Sequence, residues 1–168
     1  MILMNDKAIK LFEGRNLVFI ATIMKDGSPQ LSPVWADYED KHILINTAEG
    51  RLKHKNVLRD PRIAISVVDK NNSLNMTTIQ GKVIEIIPDY EYQHANRLTK
   101  KYMGKDNYPF RQPGEKRIIF KILPEKVYVL PELKMNQDWI NNYISIFEFR
   151  NIIYLIQSNL TRVKINIS

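Results

Sequence analysis

Residues 16–38 read NLVFIATIMKDGSPQLSPVWADY, and the fold class turns on them. The run from Asn16 to Met24 is dominated by β-branched and aromatic side chains, which suit a pleated, half-buried surface. Asp26-Gly27 separates it from a second extended run, Gln30 to Tyr38. Both turn residues tolerate the positive φ of a tight primed turn, so the pattern predicts a β-hairpin closed there. Pro29 and Pro33 lack backbone donors and put the second run at a sheet edge or in a bend. An edge of that kind offers unpaired acceptors to a ligand or to another chain.

Outward from this hairpin the same logic continues. Upstream, Ala8, Ile9, Leu11 and Phe12 make one apolar face of a short helix over Asp6 to Glu13, with Gly14 placed to stop it. Downstream, a turn around Glu39-Asp40 leads to a strand from Lys41 to Asn46. A short helix then carries Leu52, Val57 and Leu58 and stops before Asp60-Pro61. Arg62 to Val68 is a near-continuous apolar strand. Asn75 to Ile87 is long enough to curve around a barrel, and Gly81 in its middle marks a bulge or a close approach. Pro88-Asp89 caps a helix to Met103 with Tyr92, Ala95, Leu98 and Tyr102 on one stripe and Lys100 and Lys101 near its C-terminus. Two further strands are expected, Lys116 to Leu123 and Lys126 to Leu130.

Strand candidates outnumber the short helices, hairpin connections dominate, and no regular βαβ alternation is present. The expected class is mainly β, a small closed or split barrel of antiparallel strands with peripheral helices. Residues 1–132 read as that barrel domain. Residues 133–168 read as an appendage packing on the barrel or across a dimer. There Trp139, Ile140, Tyr143, Ile144, Phe147, Ile152 and Ile156 fit an amphipathic helix, and Arg162 to Ile167 alternates like a terminal strand.

Composition bounds the chemistry. A chain of 168 residues with 44% hydrophobic and 26% charged content has the make-up of one globular domain plus an appendage. It has no cysteine, which removes disulfides, thiolate metal sites and a cysteine nucleophile. His42, His54 and His94 follow no metal-ligand spacing, so no metal is expected. No apolar run approaches the roughly 20 residues of a membrane span. Met1 to Met4 gives way at once to Asn5, Asp6 and Lys7, unlike a secretory leader, so the expected location is cytoplasmic. A net charge of +7 favours an anionic partner, be it a phosphorylated small molecule, nucleic acid or a membrane surface.

The dinucleotide-fold glycine pattern, the P-loop, the zinc-protease motif and the serine-hydrolase elbow are all missing. The densest cationic element is Gly50-Arg51-Leu52-Lys53-His54-Lys55, at the opening of the short helix just after a strand. Free N–H groups and the helix dipole favour an anion there, and the planar fork of Arg51 suits phosphate. The alternative is a solvated basic helix face.

Residues from about Leu11 to Leu130 resemble the pyridoxamine 5'-phosphate oxidase-like split-barrel family, which includes FMN-binding members and relatives that bind the deazaflavin coenzyme F-420. The matching pieces are Phe19 to Ile23 with Asp26 to Trp35, then Asn46 to Asn56, Asp60 to Ala64 and Ile118 to Val127. The resemblance implies that Arg51 and Lys53 hold the cofactor phosphate, with Thr47 at the preceding strand end and Asn56 steadying the helix. It also implies that the strand carrying Ser32, Pro33, Val34 and Trp35 flanks the isoalloxazine ring. Gln80 and Gly81 would approach from the other subunit of a homodimer with the cofactor at the interface. Trp35 as a plain core aromatic and Gln80-Gly81 as a simple bulge remain the alternatives.

The C-terminal substrate-binding pattern of true pyridoxamine 5'-phosphate oxidases is not found in Lys134 to Ser168, which counts against vitamin B6 oxidation. Thr47 to Asn56 reads T-x-x-G-R-x-K-x-x-N, similar to the branch with deazaflavin-dependent reductases. The expected function is an oxidoreductase using FMN or the deazaflavin on a small organic substrate. No side chain reads as a committed acid or base, as suits chemistry that belongs to a cofactor. The alternatives are a flavin or phosphorylated-ligand binder without turnover, as carrier or sensor, and a nucleic-acid binder, which only the charge supports.

Overall fold

A computed structural model describes residues 4–129, all within one unit, Met1–Pro131. The expected appendage over 133–168, with its helix and terminal strand, lies outside the described residues. The elements run α1 (Asp6–Glu13), β1 (Val18–Ile23), β2 (Pro29–Val34), β3 (Ala36–Glu39) and β4 (His42–Ala48). They continue with α2 (Leu52–Arg59), β5 (Arg62–Asp69), β6 (Asn72–Pro88), α3 (Gln93–Met103) and β7 (Arg117–Val129). The seven strands form one sheet in the order β2-β1-β5-β6-β7-β4-β3, with every ladder antiparallel. This is the mainly β split barrel that the sequence predicts.

The run from Gln30 to Tyr38, expected as one strand, is two. Trp35 alone separates β2 from β3, yet the two strands are the opposite edges of the sheet. Edges joined by a single residue force the sheet to curl until they meet, and because no ladder bridges them the barrel is left split at Trp35. The corner is held from α3. Tyr102 stacks on Trp35 with ring centroids 5.1 Å apart, and its hydroxyl donates to the Asn16 carbonyl at 3.0 Å. Lys101 donates through Nζ to the Ala36 carbonyl at 2.9 Å and to the carbonyl of Phe12 at the end of α1.

Other corrections are local. The β1–β2 connection is a three-residue turn in which Gly27 alone takes a positive φ, +85°, so it is a turn with a bulge and not a primed two-residue turn. The primed geometry sits instead between β3 and β4, at Asp40 (φ +49°) and Lys41 (φ +67°). α3 begins at Gln93, later than expected, although the Asp89 carboxylate still accepts from the amides of His94 and Ala95 at 3.0 Å each and so caps it from a distance. The two strands expected at the end of the barrel are one, β7, running through Pro124.

Pro124 is accommodated because β7 meets an irregularity in β6, whose register shifts between Gln80 and Gly81. A Cβ added at Gly81 would stand 2.4 Å from the Leu123 carbonyl oxygen, so the glycine answers to a close backbone approach within the same chain. Inside the curl, Phe12 of α1 joins Ile20, Ile45, Ile65, Ile79 and Phe120 in one fully buried core. Each such side chain contributes about 2 kcal/mol through the water it sheds. No helix among the described residues is long and apolar enough to cross a membrane.

Gly81→Ala is therefore expected to lower stability by about 1–3 kcal/mol. Chemical denaturation measures it, and an unchanged midpoint would show that β6 and β7 do not approach as closely as described.

Candidate cofactor site

The cleft opens beside the Trp35 corner, with a volume of about 330 Å³. One wall is Leu17, Pro33, Val34 and Trp35, apolar and fixed by the end of β2. Opposite stand Ala95 and Leu98 of α3, with Tyr108 and Phe110 from the loop before β7. The remaining lining is polar: Asn46 and Thr47 of β4, Arg51 and Lys53 of α2, and Arg117 of β7.

Local sequence explains how α2 is delivered to the cleft. Gly50 takes φ +76°, a left-handed conformation that turns the chain out of β4, and its N–H donates to His54 Nδ1 at 3.0 Å. Arg51 then occupies the N-cap position, and no side chain caps the first turn. That turn keeps donors and the positive end of the helix dipole available to an anion.

The electrostatics of the cleft are unbalanced. The ammonium of the half-buried Lys53 has no ion pair or hydrogen bond with any described residue. Burial first, then the charges of Arg51 and Arg117, hold its pKa below the ordinary lysine value. Glu115 answers both arginines through one oxygen, Oε1, which accepts from Arg51 Nη2 at 2.8 Å and Arg117 Nη1 at 3.2 Å. The Thr47 hydroxyl is buried at the same cleft without a hydrogen-bond partner among the described residues. Unpaired buried groups of this kind are costly unless something completes them, and an anion completes both a crowded ammonium and an idle hydroxyl. The residues present thus fit a phosphoryl group.

Behind the polar lining lies a buried network. Arg117 Nε donates to Asn46 Oδ1 at 2.8 Å, and Asn46 Nδ2 donates to Asp89 Oδ2 at 2.8 Å and contacts His94 Nδ1 at 3.3 Å. Burial, followed by the nearby charge of Arg97, pushes the pKa of His94 down to about 4. Among the described residues no cluster of His, Asp and Glu could hold a metal ion.

The cleft brings together Pro33, Val34, Trp35, Thr47, Arg51 and Lys53 of the residues singled out in the sequence. Trp35 is both a wall of the cleft and the partner of Tyr102. Asn56 is not in the cleft: it is buried on the other side of α2 and donates to Thr22 Oγ1 at 3.0 Å, tying the helix to β1. Ser32 does not line the cleft either, and its hydroxyl is buried on β2 without a partner among the described residues. Gln80 and Gly81 line a second depression, of about 360 Å³, which shares no residue with the first. Sequence reasoning missed Asn46, Arg117 and Tyr108. A signal existed for Arg117, a cation opening the apolar run Ile118-Ile119-Phe120, but nothing local names its partner 71 positions away.

The sequence model of the pyridoxamine 5'-phosphate oxidase family matches residues 4–130. The chain belongs to that family. The split barrel of this pyridoxamine 5'-phosphate oxidase family member recurs in solved structures. An F420 reductase superposes with a TM-score of 0.68 at 24% identity, covering 74% of this chain and 98% of its own. General stress protein 26 of Bacillus anthracis superposes with a TM-score of 0.56 at 16% identity, covering 74% and 92%. The HupZ protein of Group A Streptococcus gives 0.55 at 20%, covering 77% and 96%. At such identities these likenesses speak for the fold alone.

His94 yields a pH prediction. The unfolded chain protonates this imidazole near its ordinary value of 6.5, while the folded chain resists until about 4. Its contribution to stability is therefore present above 6.5 and lost as the pH falls toward 4, by up to about 1.4 kcal/mol per pH unit. Denaturation midpoints across that window should fall more steeply for the native chain than for His94→Gln; equal slopes would contradict the assignment.

Proposed function

We propose that the protein is an oxidoreductase that binds FMN or the deazaflavin coenzyme F-420 in the Trp35 cleft and acts on a small organic substrate. The observation that carries this reading is Lys53, a half-buried ammonium without an ion pair among the described residues, crowded by two guanidinium groups in the cleft that the idle hydroxyl of Thr47 also lines. Arg51, Lys53 and the first turn of α2 would hold the phosphoryl end. Pro33, Val34 and Trp35 offer the ring an apolar wall that excludes water, and the stack on Tyr102 keeps Trp35 from turning away. When bound, a flavin or deazaflavin supplies hydride transfer, and the chain's task is to orient it. The absence of a committed acid or base among the cleft residues fits that division of labour, and it equally suits a carrier that does not turn over.

The working form in this proposal is a homodimer. Across the sheet Pro33, Phe19, Ser66, Thr78 and Tyr128 pair in one row on the face turned from the core, with Tyr128 half exposed. Leu31, 63% exposed, stands in the next row with Gln80. Pro33, Phe19, Tyr128 and the exposed Leu31 give this mixed face apolar surface that would suit a second copy, and Gln80 would then serve that copy's site.

Light scattering with absorption detection tests both parts on protein reconstituted with each cofactor. The expected species has twice the chain mass and carries a flavin or deazaflavin spectrum. Arg51→Ala combined with Lys53→Ala should abolish cofactor binding and leave the far-ultraviolet circular dichroism unchanged. A monomer would remove the dimer, and a doubly substituted protein with undiminished affinity would remove the site.

A further inference from the structure

We propose that Arg117 is a third binding residue for the phosphoryl group, gripping it from the β7 side of the cleft; this rests on the reading of the cleft as a phosphate pocket. Arg117 is 4% exposed, and a guanidinium taken out of water needs all its donors answered. Its Nε is answered by Asn46 Oδ1 at 2.8 Å. Nη1 is shared between Tyr108 Oη at 3.3 Å and Glu115 Oε1 at 3.2 Å. Nη2 makes no hydrogen bond with any described residue and is not sealed from solvent, so it is the donor left available on the cleft that Arg117 lines.

Charge points the same way. Glu115 spends one oxygen on two guanidinium groups, and its other oxygen, Oε2, is buried without a partner among the described residues and answers neither. Lys53 is also unpaired among the described residues, so Glu115 directly answers two of these three cations, and the Asp89 carboxylate is reached from Arg117 only through Asn46. A residue that served only to tie Asn46 and Tyr108 together would gain nothing from a surplus positive charge beside Lys53, since like charges in a half-buried place repel. The surplus is explained by an anion that arrives from outside. Thr47 supplies the independent sign: it is 1% exposed, lines the cleft next to Asn46 on β4, and its hydroxyl has no partner. Arg117 from β7, Arg51 and Lys53 from α2 and Thr47 from β4 converge on this one region, and the planar fork of arginine is suited to phosphate.

The test compares FMN with riboflavin, which lacks the phosphate, by fluorescence titration of the full-length protein and of Arg117→Met and Arg117→Lys. If Arg117 touches the phosphoryl group, Arg117→Met lowers FMN affinity at least about tenfold while riboflavin affinity holds, so the ratio of the two falls. Arg117→Lys should recover part of that ratio, and it carries the test by itself if the methionine variant does not fold. An unchanged ratio, or a parallel loss for both ligands, would make Arg117 a structural tie and overturn the proposal. Should the native protein bind neither FMN nor the deazaflavin, the functional reading fails; in that case, or if it binds the deazaflavin alone, inorganic phosphate decides the present one. A rise in melting temperature with phosphate that is lost in the Arg117 variants supports it; no rise, or an equal rise in all three proteins, overturns it.

Discussion

A guanidinium cannot leave water without partners, and the partners of Arg117 tie the fold to the site. Through Asn46 it reaches β4 and the Asp89 cap of α3. Through Tyr108 it holds the loop that forms one side of the cleft, and through Glu115 it reaches Arg51 at the head of α2. Elements distant in sequence are thereby brought to one place by a single buried charge. The arrangement leaves more positive charge than the described carboxylates neutralise, a surplus that the proposed phosphoryl group would offset.

The second constraint is the corner at Trp35. A sheet whose two edges are consecutive in the chain has to curl, and a one-residue joint leaves no room for the edges to pair. The opening that results is where the cleft lies. Lys101 and Tyr102 hold this corner by hydrogen bonds to backbone carbonyls on both sides of it, so α3 braces the split and also supplies Ala95 and Leu98 to the cleft wall. One helix thus serves packing on one side and the site on the other.

Much of this was legible in the sequence because it is local. Edge prolines, the bulge glycine Gly81, the helix stripe of α3 and the basic opening of α2 each announce themselves within a few residues. What was hidden depends on distance or on compensation. Pro124 reads as a strand break, and only its alignment opposite Gly81 lets β7 run through it. Trp35 reads as a strand residue because nothing local distinguishes a pleat from a corner. The primed turn at Asp40-Lys41 carries no glycine, so its backbone geometry has no signature in composition. Of the site, the cations on α2 and the β2 wall could be found from motif and resemblance. Asn46, Tyr108 and Arg117 could not, since their meaning arises only when β4 and β7 lie side by side.

The account stands on the claim that the positive end of this cleft exists to hold a phosphoryl group. A crystal structure of the protein grown with FMN addresses that claim most directly. The account predicts the phosphate within hydrogen-bond reach of Lys53 Nζ and Thr47 Oγ1, at the first turn of α2. A phosphate found in solvent or elsewhere on the barrel, with Lys53 and Thr47 untouched, would contradict it.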